Sequence, residues 1–113
     1  MNKRRVGGEK EEWAARYLFS LGYDVLESNF FGRHGEIDIV AKDGQTMVFV
    51  EVKFRSYERM GYPQESVDFR KQSRVRAAAR QYLYSHGYAP DQPCRFDVIA
   101  ILGQRMQHIK DAF

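Results

Sequence analysis

The spacing of apolar residues along the chain changes repeatedly, and each change marks an element. From Glu9 to Leu21, Trp13, Ala14, Tyr17, Leu18 and Leu21 recur at helical spacing, and Gly22 closes that helix. Residues 1–8 precede it as a mobile basic lead. Tyr23 to Ser28 reads as a short strand, and Asn29 to Gly35 as a loop carrying Arg33 and His34. Next come EIDIVA and TMVFVEVKF, rich in Ile, Val and Phe, with Asp43-Gly44 between them, which predicts a hairpin. Both faces of its second strand are largely apolar, so it belongs in the middle of a sheet. Arg55 to Asp68 shows no period and reads as a long loop. Asp68 can cap a second helix that runs to about His86, with Val75, Ala78, Ala79, Tyr82 and Leu83 as its buried stripe. Gly87, Pro90 and Pro93 lead into RFDVIAIL at 95–102, a strand apolar on both faces except at Asp97, and 107–109 can add an edge strand. The order α-β-β-β-α-β predicts an α/β fold, a mixed β-sheet flanked by helices, in one domain over 1–113.

The hairpin carries acids inside apolar strands, and its register decides whether they act together. A two-residue turn at Asp43-Gly44 pairs Lys42 with Gln45. Glu36 then faces Glu51, and Asp38 faces Phe49. Because side chains alternate, Glu36, Asp38, Glu51 and Lys53 share one face, while Ile37, Ile39, Val48, Val50 and Val52 share the other. Asp38 and Glu51 become diagonal neighbours with Cα atoms roughly 7–8 Å apart, close enough to point at one cation. A bulge at the turn would break the arrangement.

Composition narrows the setting. A hydrophobic content of 43% argues for a folded chain. No apolar run approaches the ~20 residues that span a bilayer, so no membrane partner is expected. The basic start lacks the apolar core of a secretory signal. Cys94 stands alone, which excludes an internal disulfide and a cysteine zinc cage. A cytoplasmic protein is the default expectation. The net charge of +3 is mild, but Arg70, Lys71, Arg74, Arg76 and Arg80 fall in one helix without an acid. Together with Arg55, which shares a face with Lys53, residues Arg70, Lys71 and Arg74 form a candidate phosphate-contacting surface. The plain alternative is a solvated helix face.

Asp, followed on the next strand by Glu-x-Lys, has a specific use. Mg²⁺ takes oxygen ligands and is often held by one or two carboxylates plus water and phosphate oxygens. A lysine two residues beyond the glutamate projects from the same face and can stabilise charge developing on phosphorus. That chemistry is phosphodiester hydrolysis with Mg²⁺ or Mn²⁺. An exposed Glu–Lys pair on a surface strand is the bland alternative. The apolar neighbours Val50, Val52 and Phe54 speak against it, because charges inside such a strand are costly unless compensated. VEVK also resembles the lysine strand of protein kinases, but no glycine-rich loop precedes it and 113 residues are too few.

GEIDIVA at 35–41, FVEVKFR at 49–55, KQSRV and RFDVIAI closely resemble the bacterial YraN-type family of predicted endonucleases. Those resemble archaeal Holliday junction resolvases within the PD-(D/E)XK nuclease superfamily, whose restriction-endonuclease-like core is αβββαβ. The likeness runs from the EEWAARYL helix to the C-terminal KDAF. It implies that Asp38, Glu51 and Lys53 are catalytic, that Asp38 and Glu51 hold metal, that Glu11 on the first helix completes the metal site, and that Gln72 on the second helix assists. Ile37 stands where many members have proline. The implied activity is cleavage of DNA, branched DNA included, and a homodimer is compatible with it. The rival class is a nucleic-acid-binding module that keeps the fold without turnover. A structural or assembly protein would leave the acidic cluster without a purpose.

Overall fold

Two helices cover opposite faces of one mixed sheet. The computed structural model describes residues 3–55 and 68–113, with backbone only for 3–7 and Arg55. The long loop expected over 55–68 therefore falls almost wholly outside the described residues. The elements are α1 (Lys3–Ser20), β1 (Asp24–Phe31), β2 (Glu36–Asp43), β3 (Thr46–Arg55), α2 (Phe69–Ser85), β4 (Cys94–Leu102) and β5 (Arg105–Ile109). The sheet order is β1-β2-β3-β4-β5, which puts β3 in the centre as its two apolar faces require. β3 and β4 run parallel, and the other neighbouring pairs are antiparallel. The αβββαβ order holds, with β5 as the extra edge strand.

Alternation along the central strands builds two cores. Ile39, Ala41, Val48, Val50, Ile99 and Ile101 pack with Ala14 and Leu18 of α1. Val40, Met47, Phe49 and Phe96 pack with Val75, Ala78, Ala79 and Tyr82 of α2. Each helix thus buries the stripe its periodicity marks. Leu21 is the exception. It follows the last turn of α1 and is exposed, because the chain leaves the helix there and Gly22 turns at φ 92. Among the described residues no helix is long and apolar enough to cross a membrane.

Three boundaries differ from those the sequence suggests. α1 begins at Lys3, so residues 3–8 extend the helix and do not form a lead. Lys, Arg and Glu are good helix formers and carry it across Gly7-Gly8. β1 continues to Phe31, leaving a loop of four residues before β2. That loop lies against α2: Arg33 N–H donates to Gln81 Oε1 at 2.7 Å, and a Cβ on Gly35 would stand 2.9 Å from the Arg74 Cβ. Only a glycine permits that approach. His34 is exposed in the loop. The hairpin turn is Gly44-Gln45, with Asp43 paired to Thr46. Gly44, at φ 62, occupies the first turn position, where a II′ hairpin needs a positive φ. Asp43 stays in the strand because Arg95 on β4 reaches it at 3.0 Å.

A candidate metal and phosphate site

The turn sets the register two residues away from the expected one. Ile39 pairs with Val50 and Val40 with Phe49, so Asp38 falls level with Glu51 and not with Phe49. Glu36 instead pairs with Phe31 on β1. A shift of two preserves faces, so Asp38 and Glu51 are still brought together. The β2–β3 ladder stops at Ile39–Val50 although both strands continue. Beyond it, Asp38 Oδ2 accepts the Val52 N–H at 2.8 Å. One carboxylate oxygen thus replaces a rung, and the strands open where the acids lie.

Alternation also slips here. Ile39 belongs to the core under α1, whereas Ile37 belongs to the core under α2. The two do not share a face, as an unbroken strand would demand. On β1, Asn29 stands between the rungs Ser28–Ile39 and Phe30–Ile37 with φ 56. Asn tolerates this left-handed conformation better than most residues. Such irregularities re-aim side chains. Asp38 accordingly feels Glu11 of α1 as well as Glu36, Lys53 and Lys71.

Glu51 is the deepest member of the site, with 1% of its surface exposed. Its Oε1 lies 3.2 Å from the Lys71 ammonium, and its Oε2 is buried with no hydrogen-bond partner among the described residues. Burial, then the nearby Asp38 charge, push the Glu51 carboxyl up to about 7, against the pull of Lys71 and Lys53. Asp38 is raised too, mainly by burial and then by Glu36, with the Val52 N–H working the other way. Glu11 is raised by burial and by Asp38, and a hydrogen bond from Asn29 holds it down. Lys71 is raised: the attraction of Glu51, Asp38 and Glu36 outweighs the burial that lowers it.

Asp38, Glu51, Lys53 and Lys71 therefore form one electrostatic unit. Glu11 lies near it, yet among the described residues no three His, Cys, Asp or Glu side chains are gathered closely enough to hold a metal by themselves. Glu12, on the other side of α1, is exposed and pairs with Arg16 at 3.7 Å. Gln72 is half-buried on the first turn of α2 beside Lys71. Arg70 and Arg74 are exposed on that helix, as a phosphate contact requires. Lys71 differs from them: it is half-buried and its ammonium turns to Glu51. Arg55's side chain lies outside the described residues. The donors that are present suit a hard dication. Two carboxylates on facing strands, one with a buried oxygen that has no partner among the described residues, match the one or two carboxylates that commonly hold Mg²⁺ while water and phosphate fill its shell.

A second polar cluster was missed from sequence. Asp97 is fully buried, and both its oxygens are occupied. Arg95 Nε donates to Oδ1 at 3.0 Å, His108 Nε2 bonds Oδ2 at 2.7 Å, and the Asp111 N–H donates to Oδ1 at 2.9 Å. Arg95 also reaches Asp43 and the Tyr23 hydroxyl, and His108 Nδ1 meets the Tyr17 hydroxyl at 3.1 Å. Burial alone would raise Asp97, but His108, Arg95 and the Asp111 N–H hold it below the usual range. Asp97 within an apolar strand, with Arg95 two residues earlier on the same face, was the available signal.

Comparison with known proteins gives a consistent result. A family model described as "Uncharacterised protein family UPF0102" matches residues 10–101. A UPF0102 protein of Lachnoclostridium phytofermentans is 43% identical over 113 residues, covering 100% of this chain and 96% of the relative. One from Thermodesulfovibrio yellowstonii is 42% identical over 113 residues, covering 100% of this chain and 99% of the relative. One from Moorella thermoacetica is 47% identical over 109 residues, covering 96% and 90%.

Proposed function

We propose that this chain, which belongs to UPF0102, an uncharacterised protein family, is a divalent-metal-dependent endonuclease that hydrolyses phosphodiester bonds in DNA, branched DNA included. The observation that carries the reading is Glu51: a carboxylate buried beside Asp38, with one oxygen that has no partner among the described residues where the strands part. Buried polar groups without partners are rare and call for an explanation. A fold with no use for a cation would not retain two repelling acids there.

Each residue then has a role. Asp38 and Glu51 hold the ion, with Asp38 oriented by the Val52 N–H. Mg²⁺ or Mn²⁺, once bound, would polarise the phosphate and acidify a water. Lys53, half-buried and within electrostatic reach of both acids, supplies positive charge as it develops demand on the phosphate. Gln72, half-buried on the first turn of α2, would assist as the resemblance implies. Glu11, held by a hydrogen bond from Asn29, adds a third negative charge close to Asp38 and would complete the metal site. Arg70 and Arg74 present exposed guanidinium groups to the DNA backbone.

A second reading is favoured by one contact. The Lys71 ammonium against Glu51 already supplies a cation, as a metal-free nucleic-acid-binding module would need. Cleavage assays on branched and linear DNA, with and without Mg²⁺ or Mn²⁺, separate the two. The expected outcome is metal-dependent cleavage that falls about 10²–10³-fold in Asp38→Asn and in Glu51→Gln. DNA binding without cleavage by wild type under every metal condition would leave the binding module.

A further inference from the structure

Lys71 stands in the site without a part in the hydrolysis. It enters from the first turn of α2, where the Asp68 carboxylate caps the helix by accepting the Lys71 N–H at 2.9 Å. Its backbone is thereby fixed, while its four-carbon stem carries the ammonium to 3.2 Å from Glu51 Oε1. An ammonium is a compact charge without the paired donors of a guanidinium. It answers one oxygen and leaves the other: among the described residues the buried Oε2 has no partner. Lys71 therefore neutralises charge but does not complete the coordination of the carboxylate.

We propose that Lys71 is a resident counter-ion that keeps a divalent cation's place at Glu51, and that it leaves the carboxylate when the cation binds. This inference rests on the metal reading above. Without metal, a cation is needed, because two clustered acids with no compensating charge would oppose folding. With metal, an ammonium and a dication on one carboxylate repel strongly in a poorly solvated pocket. Departure needs only side-chain rotation, since the cap holds the helix start. The freed ammonium then lies on the same turn as exposed Arg70, next to the backbone-contacting surface, so metal arrival and phosphate contact become linked events.

Calorimetric titration with Mn²⁺ and Mg²⁺, paired with thermal melts, tests this on the full chain. Lys71→Gln and Lys71→Met should bind Mn²⁺ about tenfold more tightly than wild type, within the usual range for coupled sites. Their Tm should lie below wild type without metal, and the gap should close at saturating Mn²⁺. Lys71→Arg should keep near-wild-type affinity. Arg80→Gln, which removes an exposed charge from the same helix, should also leave affinity unchanged and so excludes a general charge effect. Equal affinity in wild type and both neutral variants, with a Tm gap indifferent to Mn²⁺, overturns the inference and leaves the metal site standing. Absence of Mn²⁺ and Mg²⁺ binding in wild type and in every Lys71 variant overturns both.

Discussion

Asp97 and Glu51 occupy adjacent rungs of one parallel ladder, Val50–Asp97 and Glu51–Val98, and face opposite sides of the sheet. Both are acids at the same depth, at 0% and 1% exposure. One is surrounded by donors from β4, β5 and the C-terminal turn, and its carboxyl is held low. The other touches one lysine, Lys71, has an oxygen without a partner among the described residues, and its carboxyl is pushed high. Burial is common to both, so burial does not distinguish structure from function. The number of partners does. A satisfied acid ties elements together, and an unsatisfied one is a candidate for function, as proposed for Glu51.

The largest test of this contrast is mechanical. Asp97→Ala leaves Arg95, His108 and the Asp111 N–H without their acceptor, and should cost about 3–5 kcal/mol of folding stability by denaturant titration. Glu51→Gln should cost nothing or stabilise the chain. Equal losses in both variants would erase the distinction. A smaller effect appears with pH in metal-free protein. Glu51's folded pKa lies above its ordinary value of 4.5, near 7. The raised pKa makes wild type lose stability as pH climbs from 4.5 to 7, so Glu51→Gln should gain on it by roughly 1–3 kcal/mol across that window. Asp97's folded pKa is depressed, so its contribution is present above its unfolded value and is lost only as pH falls through the folded one. The deficit of Asp97→Asn should therefore stay flat over the same window. The smallest effect concerns the outer surface. Replacing Arg70 and Arg74 with Gln should flatten the log–log salt dependence of DNA affinity by about 2 units, measured by anisotropy, with little change between sequences. An unchanged slope would put the DNA elsewhere.

How much of this was legible beforehand depended on where the partners lie in sequence. Asp38 and Glu51 were readable because an acid interrupting Val and Ile is locally anomalous, and because a register error of two residues preserves faces. The Asn29 kink was not readable. A left-handed residue inside a strand leaves no periodic trace, so Ile37 was assigned to the wrong face. Lys71 sits off the buried stripe of α2 and read as surface, since a helix pattern cannot show that a strand's acid waits nearby. Arg95 shares a strand and a face with Asp97, but His108 and the Asp111 N–H come from β5 and the C-terminal turn, and spacing along β4 carries no information about their arrival.

The parallel pairing of β3 with β4 also has a kinetic consequence. Met47 meets Cys94 and Phe49 meets Phe96, so the central ladder joins segments far apart in the chain, whereas the β2–β3 hairpin closes locally. Pairings of large sequence separation form late. Until β4 arrives, the outer edge of TMVFVEVKF is an open template for another chain. Glu51 and Lys53 are charges placed within that run, and they guard it during folding as gatekeepers do. Refolding of Glu51→Val should therefore scatter more light at a given protein concentration than refolding of Glu51→Gln. A carboxylate proposed to hold a cation in the finished molecule would thus protect the unfinished one from its neighbours.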